Sequence, residues 1–507
     1  MKTDFKKIVS VLLCCLILSG TLTISSFAVD TAVNEEYAPF RIHVSVNGDT
    51  SAQKGFCWYT HAMTESKISL FNLSMEPVNA EIEYEDVFEW GGNYCHKALV
   101  KGLKPGTEYY YTVGDGNVSS SVGTFVTDDG DSEFEFVSVA DIQASSLENF
   151  LKGRNTLNAA YKTMPDAEFY INLGDFTNDS TNEEWDYYDK AVTDFNQNTT
   201  IVPISGNHDG LGVWNWFNNM FSLDTSESVQ TLNGVNYSFD YGNAHFAVLN
   251  TNDVLSVSIP QLVWLYKDMK STDKDWKIVL MHKSPYTFGK DGKWPDALYL
   301  QRALTAVCDA TNVDLVMSGH DHQYVRTKKI KMNMQNDSGT TYVLCGTAGS
   351  KRYEIRPFLK GLFMNINLIE KINVQRTTDW DGTGWEKTGF NLEDMTNPGG
   401  QFNTISVKGG TLTFNSYVAA DKQFDDNGNI IESEDVITNV DSFVLTKETG
   451  SNKAEYSGNK KTSSFVFYLG IIPSMISLAV YTFGEWFPKF IVNLPNLVFN
   501  VIKFDIF

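Results

Sequence analysis

The apolar run LVMS leads into GHDHQY, so His320 and His322 stand two apart around Asp321 in a chain of 507 residues with only eight histidines. One such pair is weak, because surface loops produce it by chance. Four other apolar runs end in a similar way. FVSVAD stops at Asp141 and FYINLGD at Asp175. IVPISGNHD delivers Asn207, His208 and Asp209, and KIVLMH stops at His282. Helix capping explains one polar residue after an apolar run, but not a whole set of runs that end in metal-capable side chains. Carboxylates, imidazoles and an amide oxygen form a mixed hard and borderline donor set, which suits Zn, Mn or Fe rather than Ca or Cu(I). The donors are too many for one tetrahedral ion and about enough for two. Two ions roughly 3.5–4 Å apart clamp the attacking and leaving oxygens of an in-line displacement at phosphorus. One carboxylate must bridge them, and Asp175 is the natural choice.

The elements that hold these residues follow from the same apolar runs. Strands are expected over 134–140, 168–173, 201–204, 244–250, 276–281, 313–317 and 341–345, and helices over 147–163, 183–195, 259–270 and 297–310. Strands alternating with helices predict an α/β layered domain, here over 133–447, whose ligands bind at the carboxyl ends of the strands. Residues 35–127 read differently. FRIHVSV, GFCWYT, NAEIEYE and EYYYTVG alternate between apolar and polar and are separated by Gly, Pro, Asn and Asp turns, as in an immunoglobulin- or fibronectin type III-like sandwich. Residues 400–447 return to strands. DDNGN within them reads as a hairpin turn rather than a calcium loop, because Gln423 would occupy the first ligand position.

Bulk composition narrows the partners. The formal charge is −22. No basic surplus exists to neutralise nucleic-acid phosphates, so no nucleic-acid binding is expected. A small phosphorylated substrate would instead meet local positive charge on bound metal ions. Residues 1–28 read as a signal peptide: MKTDFKK, the apolar IVSVLLCCLILSG, and a small-residue site ending SFA. Export follows, to the medium or the cell surface. Of the remaining cysteines, Cys57 and Cys95 share the N-terminal region and are the pair to consider for a disulfide, while Cys308 and Cys345 read as buried apolar residues. Residues 448–461 form a polar linker. The tail 462–507 begins with 23 residues that carry no charge, long enough for membrane association as an anchor.

GD, GNHD, MHKSPY and GHDHQYVRT, in this order, resemble the calcineurin-like metallophosphoesterase superfamily. With the N-terminal sandwich, the chain looks most like its purple-acid-phosphatase-like branch over residues 35–447. The resemblance implies central β-sheets flanked by helices, with a dimetal site at one edge. It implies one ion at Asp141, Asp175 and His322, and another at Asp175, Asn207, His282 and His320, the ions being divalent or mixed-valence Zn, Mn or Fe. It places His208 beside the substrate phosphate, and the catalytic set is read as His208 with Asp209. Two departures stand out. Gln143 replaces the histidine that many members carry two residues after the first aspartate. Asn178 replaces the tyrosine that purple enzymes carry three residues after the bridging aspartate. Either amide is a candidate metal ligand or water holder, and a colourless protein is expected. Tyr286, Tyr324 and Arg326 follow the ligand motifs and are candidates for the substrate pocket. WNWFNNMF, residues 214–221, is read as a substrate wall or a satellite apolar cluster. His43, His61, His96 and His245 are read as structural.

The function expected is hydrolysis of phosphate esters by in-line attack of a metal-bound hydroxide, as in an acid-phosphatase-like phosphomonoesterase. A phosphodiesterase or nucleotide pyrophosphatase is the alternative within enzymes. A surface-anchored binding or adhesion protein with a weakened metal site is the alternative outside them.

Overall fold

The structure is a computed structural model that describes residues 35–209, 216–229, 234–252, 259–287, 295–351, 369–373, 399–420, 422–424, 430–431 and 436–450. Strands Glu133–Val139, Phe169–Asn172 and Thr200–Pro203 run parallel in the middle of an eleven-stranded sheet. Their side chains alternate between two cores, as period-two geometry requires. Phe136, Ile171 and Val202 enter the core between the two large sheets, while Val137, Tyr170 and Ile201 enter a core roofed by helices Leu147–Thr163 and Asn182–Asn198. Strands buried on both faces read as continuous apolar runs. The second of these helices opens with a capping box, in which Thr181 Oγ1 accepts from the Glu184 N–H and Glu184 reaches back to the Thr181 N–H.

The second large sheet has seven strands. Ala244–Leu249, Trp276–Met281, Leu315–Ser318 and Thr341–Cys345 run parallel within it. Phe246, Ile278 and Leu315 face the first sheet, while Ala247, Val279 and Val316 lie under helices Ile259–Ser271 and Pro295–Thr311. Aromatic rings knit the sheets together. Phe136 stacks on Phe169 at 5.0 Å, and Phe169 meets Phe246 edge-on at 6.0 Å. The result is helices, sheet, sheet, helices, with both sets of parallel strands aiming their carboxyl ends at one rim.

The N-terminal strands pack as two sheets around Val44, Phe56, Trp58, Leu70, Tyr111 and Phe125. They do not stand apart from the layered domain. Ser45 of strand Phe40–Ser45 pairs in parallel with Ile201, so the eleven-stranded sheet runs on into Lys54–Thr60, Asn93–Lys101 and Glu81–Tyr84. The composition change near residue 130 therefore marks a change of packing partner rather than a break in the sheet. Arg41 secures this join. Its buried guanidinium donates to Asn182 and Asp186 on the neighbouring helix and lies over Trp216. Trp216, Phe217, Met220 and Phe221 bury themselves in the core beneath the helices, so the described part of WNWFNNMF is packing. Cys57 and Cys95 are free, buried thiols with Sγ atoms 3.9 Å apart, both against the Asn219 carbonyl. Gln423–Phe424 pairs with Ile430–Ile431, the hairpin expected there. Residues 1–28, expected to be a signal peptide, nearly all of the expected linker 448–461 and the tail 462–507 lie outside the described residues. Among the described residues, no helix is long and apolar enough to cross a membrane.

The structural histidines are held by local partners. His96 stacks on Trp58 at 5.1 Å between the hydroxyls of Thr60 and Ser66. His61 Nδ1 meets Asn93 Oδ1 at 2.7 Å. His43 is buried against Phe221 and Tyr188, and burial followed by the Arg41 charge pulls it down to about 3. His245 behaves in the opposite sense. Burial opposes its charge, but hydrogen bonds of 2.8 Å to Asp240 and to Asp268 raise it to about 9. A raised folded value stabilises the fold fully below the unfolded histidine value of about 6.5, and that support is lost as pH climbs towards 9. We expect the stability gap between the native protein and His245→Gln, measured by urea melts, to be constant at pH 5–6 and to shrink between pH 6.5 and 9. A gap that does not vary with pH would show that this ring is not charged in the fold.

Candidate metal centre

All five apolar runs end at the common rim. Asp141 and Asp175 follow two strands of the first sheet, and the Asn207–Asp209 turn follows a third. His282 follows Trp276–Met281, and His320 and His322 follow Leu315–Ser318 in the second sheet. The two sheets are stitched together here. The His282 ring Nδ1 lies 2.8 Å from the Leu173 carbonyl of the first sheet, and the His320 N–H reaches the Asp141 carboxylate at 2.9 Å. The Asp141 N–H donates to Gly174, and the Gln143 N–H to Asp175.

The backbone is strained where these residues sit. Asp141, Gln143, Asp175, His320 and His322 have φ of 54°, 40°, 55°, 84° and 51°. A non-glycine residue in this left-handed region costs about 1–3 kcal/mol, and such residues collect at functional sites. Close approach demands glycine nearby. A Cβ on Gly206 would stand 2.0 Å from the Asp175 nitrogen and 2.1 Å from its Oδ1. Two carboxylates absorb the cost. Both oxygens of Asp141 accept from the His320 N–H at 2.9 Å. Asp209 accepts from four backbone donors: Asp175 at 2.8 Å, Phe176 at 2.7 Å, Thr177 at 3.3 Å and Gly206 at 2.7 Å.

The donor atoms fall into two groups. Asp175, His282 and His320 offer atoms all within 4.8 Å of one another, and so do Asp141, Asp175 and His322. Asp175 belongs to both. Its Oδ2 lies 3.2 Å from His282 Nε2, which in turn lies 3.2 Å from His320 Nδ1 and 3.1 Å from Asn207 Oδ1. His322 Nε2 lies 3.7 Å from Asp141 Oδ1. Each of His282 and His322 sets its other nitrogen, Nδ1, against a backbone carbonyl, of Leu173 or Lys351, at 2.8 Å. That anchoring orients metal-ligating imidazoles and fixes their tautomer. Two aspartates, three histidines and an amide, two of the rings turned by backbone carbonyls towards a shared carboxylate, fit a pair of metal ions.

Charge interactions are strong in this dry cluster. Burial pushes the Asp141 carboxyl well above the usual range, against the pull of His282 and with repulsion from Asp175. Burial opposes ionisation of Asp175 too, but His282, His208 and His320 hold it below the usual carboxylate range. Burial works against charge on His282, and Asp175 more than compensates, raising it to about 9. Burial and then the His282 charge drive His320 far down. Burial and the Asp175 charge lift Asp209 to about 7.

The structure brings Asp141, Asp175, Asn207, His282, His320 and His322 together, with His208 beside them. The His208 N–H donates to Asp175 Oδ1 at 2.8 Å, and its ring Nδ1 contacts the Asn178 carbonyl. Several expectations need correction. Asp209 is fully buried and its carboxylate holds backbone, so it is a positioning residue rather than a catalytic one. Tyr324 and Arg326 do not line a pocket. Both bind Asp441, the tyrosine at 2.9 Å and the arginine at 2.7 and 3.2 Å, and so tie their strand to Ile437–Thr446. Tyr286 is buried against Tyr342 and donates to Asn333 at 2.7 Å. Gln143 is buried with both amide atoms lacking a hydrogen-bond partner. Asn178 Oδ1 accepts from Lys351 Nζ at 3.2 Å, and its Nδ2 donates to Asp179 at 2.8 Å. Sequence reasoning missed the segment after strand Thr341–Cys345. Thr347 Oγ1 donates to the Asp141 carbonyl at 2.8 Å, the Gly349 N–H reaches the same atom, and the Lys351 carbonyl holds His322. Only GTAGSK marks it in the sequence, as a turn-forming stretch after a strand.

Residues 134–324, which hold most of the two layers and all six donor residues, match the family model described as calcineurin-like phosphoesterase. Residues 39–127, ahead of it, match the family model described as purple acid phosphatase, N-terminal domain. Purple acid phosphatase 15 of Arabidopsis thaliana is 22% identical over 318 residues, covering 55% of this chain. The chain spans 59% of that relative's length. The structure of purple acid phosphatase PPD1 from yellow lupin superposes with a TM-score of 0.59 at 18% identity, over 82% of this chain and 76% of that one. The structure of PhoD superposes with a TM-score of 0.58 at 13% identity, over 88% of this chain and 99% of that one. At these identities, the two structures establish the fold.

Removing the Asp209 carboxylate strands four backbone N–H groups, each worth about 1–3 kcal/mol when buried and unsatisfied. We expect Asp209→Ala to lower stability by about 3 kcal/mol or more in urea melts, and to weaken Zn or Mn retention in equilibrium dialysis. A loss under about 1 kcal/mol would show that the two loops hold themselves.

Proposed function

We propose that this protein is an exported dimetal phosphoester hydrolase that acts on small phosphate monoesters in the manner of an acid phosphatase. The observation that carries the reading is Asp175, one carboxylate common to two compact donor groups. Support comes from the two family matches along the same chain and from the resemblance to purple acid phosphatases. Export rests on the reading of residues 1–28, and attachment to a membrane on the uncharged stretch at 462–484.

Two ions bound at Asp141, Asp175, His322 and at Asp175, Asn207, His282, His320 would supply Lewis acidity at the phosphoryl group and a more acidic water. The chain's own residues do the rest. Asp175 is kept ionised by the surrounding imidazoles and so remains available to both donor groups. His208 has Nδ1 against the Asn178 carbonyl, which leaves Nε2 as the ring atom for the substrate. There it can donate to a phosphoryl oxygen or give its proton to the leaving oxygen. The backbone bonds of Asp209 keep the Asp175 and His208 loops in register, so that both act on one phosphoryl group.

The decisive experiment measures metal per chain by elemental analysis and turnover of an aryl phosphate and a bis-aryl phosphate diester by the same sample. About two equivalents with faster monoester turnover are expected. Asp175→Ala and His320→Ala should lose metal and turnover together, by at least about a hundredfold in kcat, while far-ultraviolet circular dichroism stays unchanged. Unchanged metal content and rate in both variants would sink the dimetal reading. Faster diester turnover would move it to a phosphodiesterase. A second expectation concerns colour. The tyrosine position is Asn178, so iron-loaded protein should show no intense visible charge-transfer band, and such a band would put a tyrosine oxygen on the metal.

A further inference from the structure

Lys351 connects the two flanks of the metal-donor cluster. Its carbonyl accepts from His322 Nδ1 at 2.8 Å, and its ammonium donates to Asn178 Oδ1 at 3.2 Å. Asn178 in turn holds His208 through its own carbonyl. The order His322, Lys351, Asn178, His208 thus runs from a metal donor to the ring assigned to the substrate. Lys351, Asn178 and His208 are partly exposed, as are the donors Asn207 and His320, whereas Asp141, Asp175, His282 and His322 are buried beneath them. The lysine therefore stands at the mouth of the site. It lies beyond residue 324, where the match to the phosphoesterase family ends. A net charge of −22 makes a cation placed there a local exception to the chain's overall field.

We propose that Lys351 is a specificity-determining residue: its ammonium binds the non-bridging oxygens of the substrate phosphoryl group and favours monoesters over diesters. The proposal rests on the phosphoester hydrolase reading and names the substrate class of that same site. A monoester is largely dianionic at neutral pH and a diester is monoanionic. A fixed cation adds more to the binding of the former, because Coulomb attraction scales with the product of charges. A lysine on an anionic oxygen also forms a charge-assisted hydrogen bond, worth about tenfold or more in affinity. Asn178 keeps the flexible side chain near one position in the absence of substrate, which lowers the entropy lost on binding. The backbone carbonyl that orients His322 survives any substitution of the side chain, so substrate recognition and metal positioning by this residue are separable.

The test uses the full chain loaded with Zn or Mn, as native protein, Lys351→Met and Lys351→Arg. Three quantities are read: metal per chain, affinity for inorganic phosphate by calorimetry, and kcat and KM for the aryl phosphate and the bis-aryl diester. In Lys351→Met, phosphate affinity should fall about tenfold or more and monoester KM should rise by a similar factor. Diester KM should change less than about threefold, and metal content should hold. Lys351→Arg should restore most of the monoester preference. Unchanged phosphate affinity and an unchanged monoester-to-diester ratio in Lys351→Met would overturn the proposal. Equal losses on both substrates with loss of metal would also overturn it, by showing a structural role alone. Native protein that binds phosphate through Lys351 but hydrolyses neither ester would retain the binding site and remove the hydrolase reading. Native protein that neither binds phosphate nor turns over would remove both.

Discussion

The structure is organised around one buried carboxylate. Asp175 lies at the seam between two sheets, almost fully removed from water, with imidazoles of His282 and His320 on one side and Asp141 and His322 on the other. An ionised group cannot be buried in this way without compensating positive charge and hydrogen bonds. The cluster provides both. The surrounding rings keep Asp175 ionised, and its Oδ1 accepts the His208 N–H. Metal ions are the natural completion of so concentrated a set of donors.

That requirement explains the local backbone. Five left-handed residues and the glycines beside them bring loops from two sheets within hydrogen-bonding distance. The strain persists because neighbouring bonds over-determine it: Asp209 to four N–H groups, Asp141 to His320, Thr347 to the Asp141 carbonyl, and His282 to Leu173. Beneath the rim, the aromatic core between the sheets supplies the rigidity. A close-packed interior resists the small displacements that would spoil metal geometry. The N-terminal strands belong to this frame. Their sheet is continuous with that of the layered domain, and Arg41 ties it to the helix that follows the Asp175 loop.

The departures at Gln143 and Asn178 acquire meaning in this setting. Asn178 is no vestige of a lost ligand. Its carbonyl holds His208 and its amide oxygen holds Lys351, so it links the two sides of the mouth. The position where the resemblance implies a tyrosine thus holds an asparagine that positions a lysine ammonium.

By itself, the sequence determined the layered class, the main strands and helices, and the six candidate donor residues that the fold brings to one rim. Strands buried on both faces must be apolar, and the polar residues that end them stand out against that background. The same reasoning went wrong wherever function was assigned by proximity in sequence to a motif. Tyr324 and Arg326 follow His322 closely, yet their partner is Asp441, more than a hundred residues away. Asp209 adjoins His208, yet its carboxylate turns to backbone, because only a compact acceptor can satisfy four converging N–H groups. Lys351 left no pattern beyond a turn-like stretch. Which polar side chain joins the donor cluster and which holds a loop was decided by the tertiary structure alone, because hydrogen-bond partners in this site come from strands far apart in the chain and no local spacing encodes their meeting.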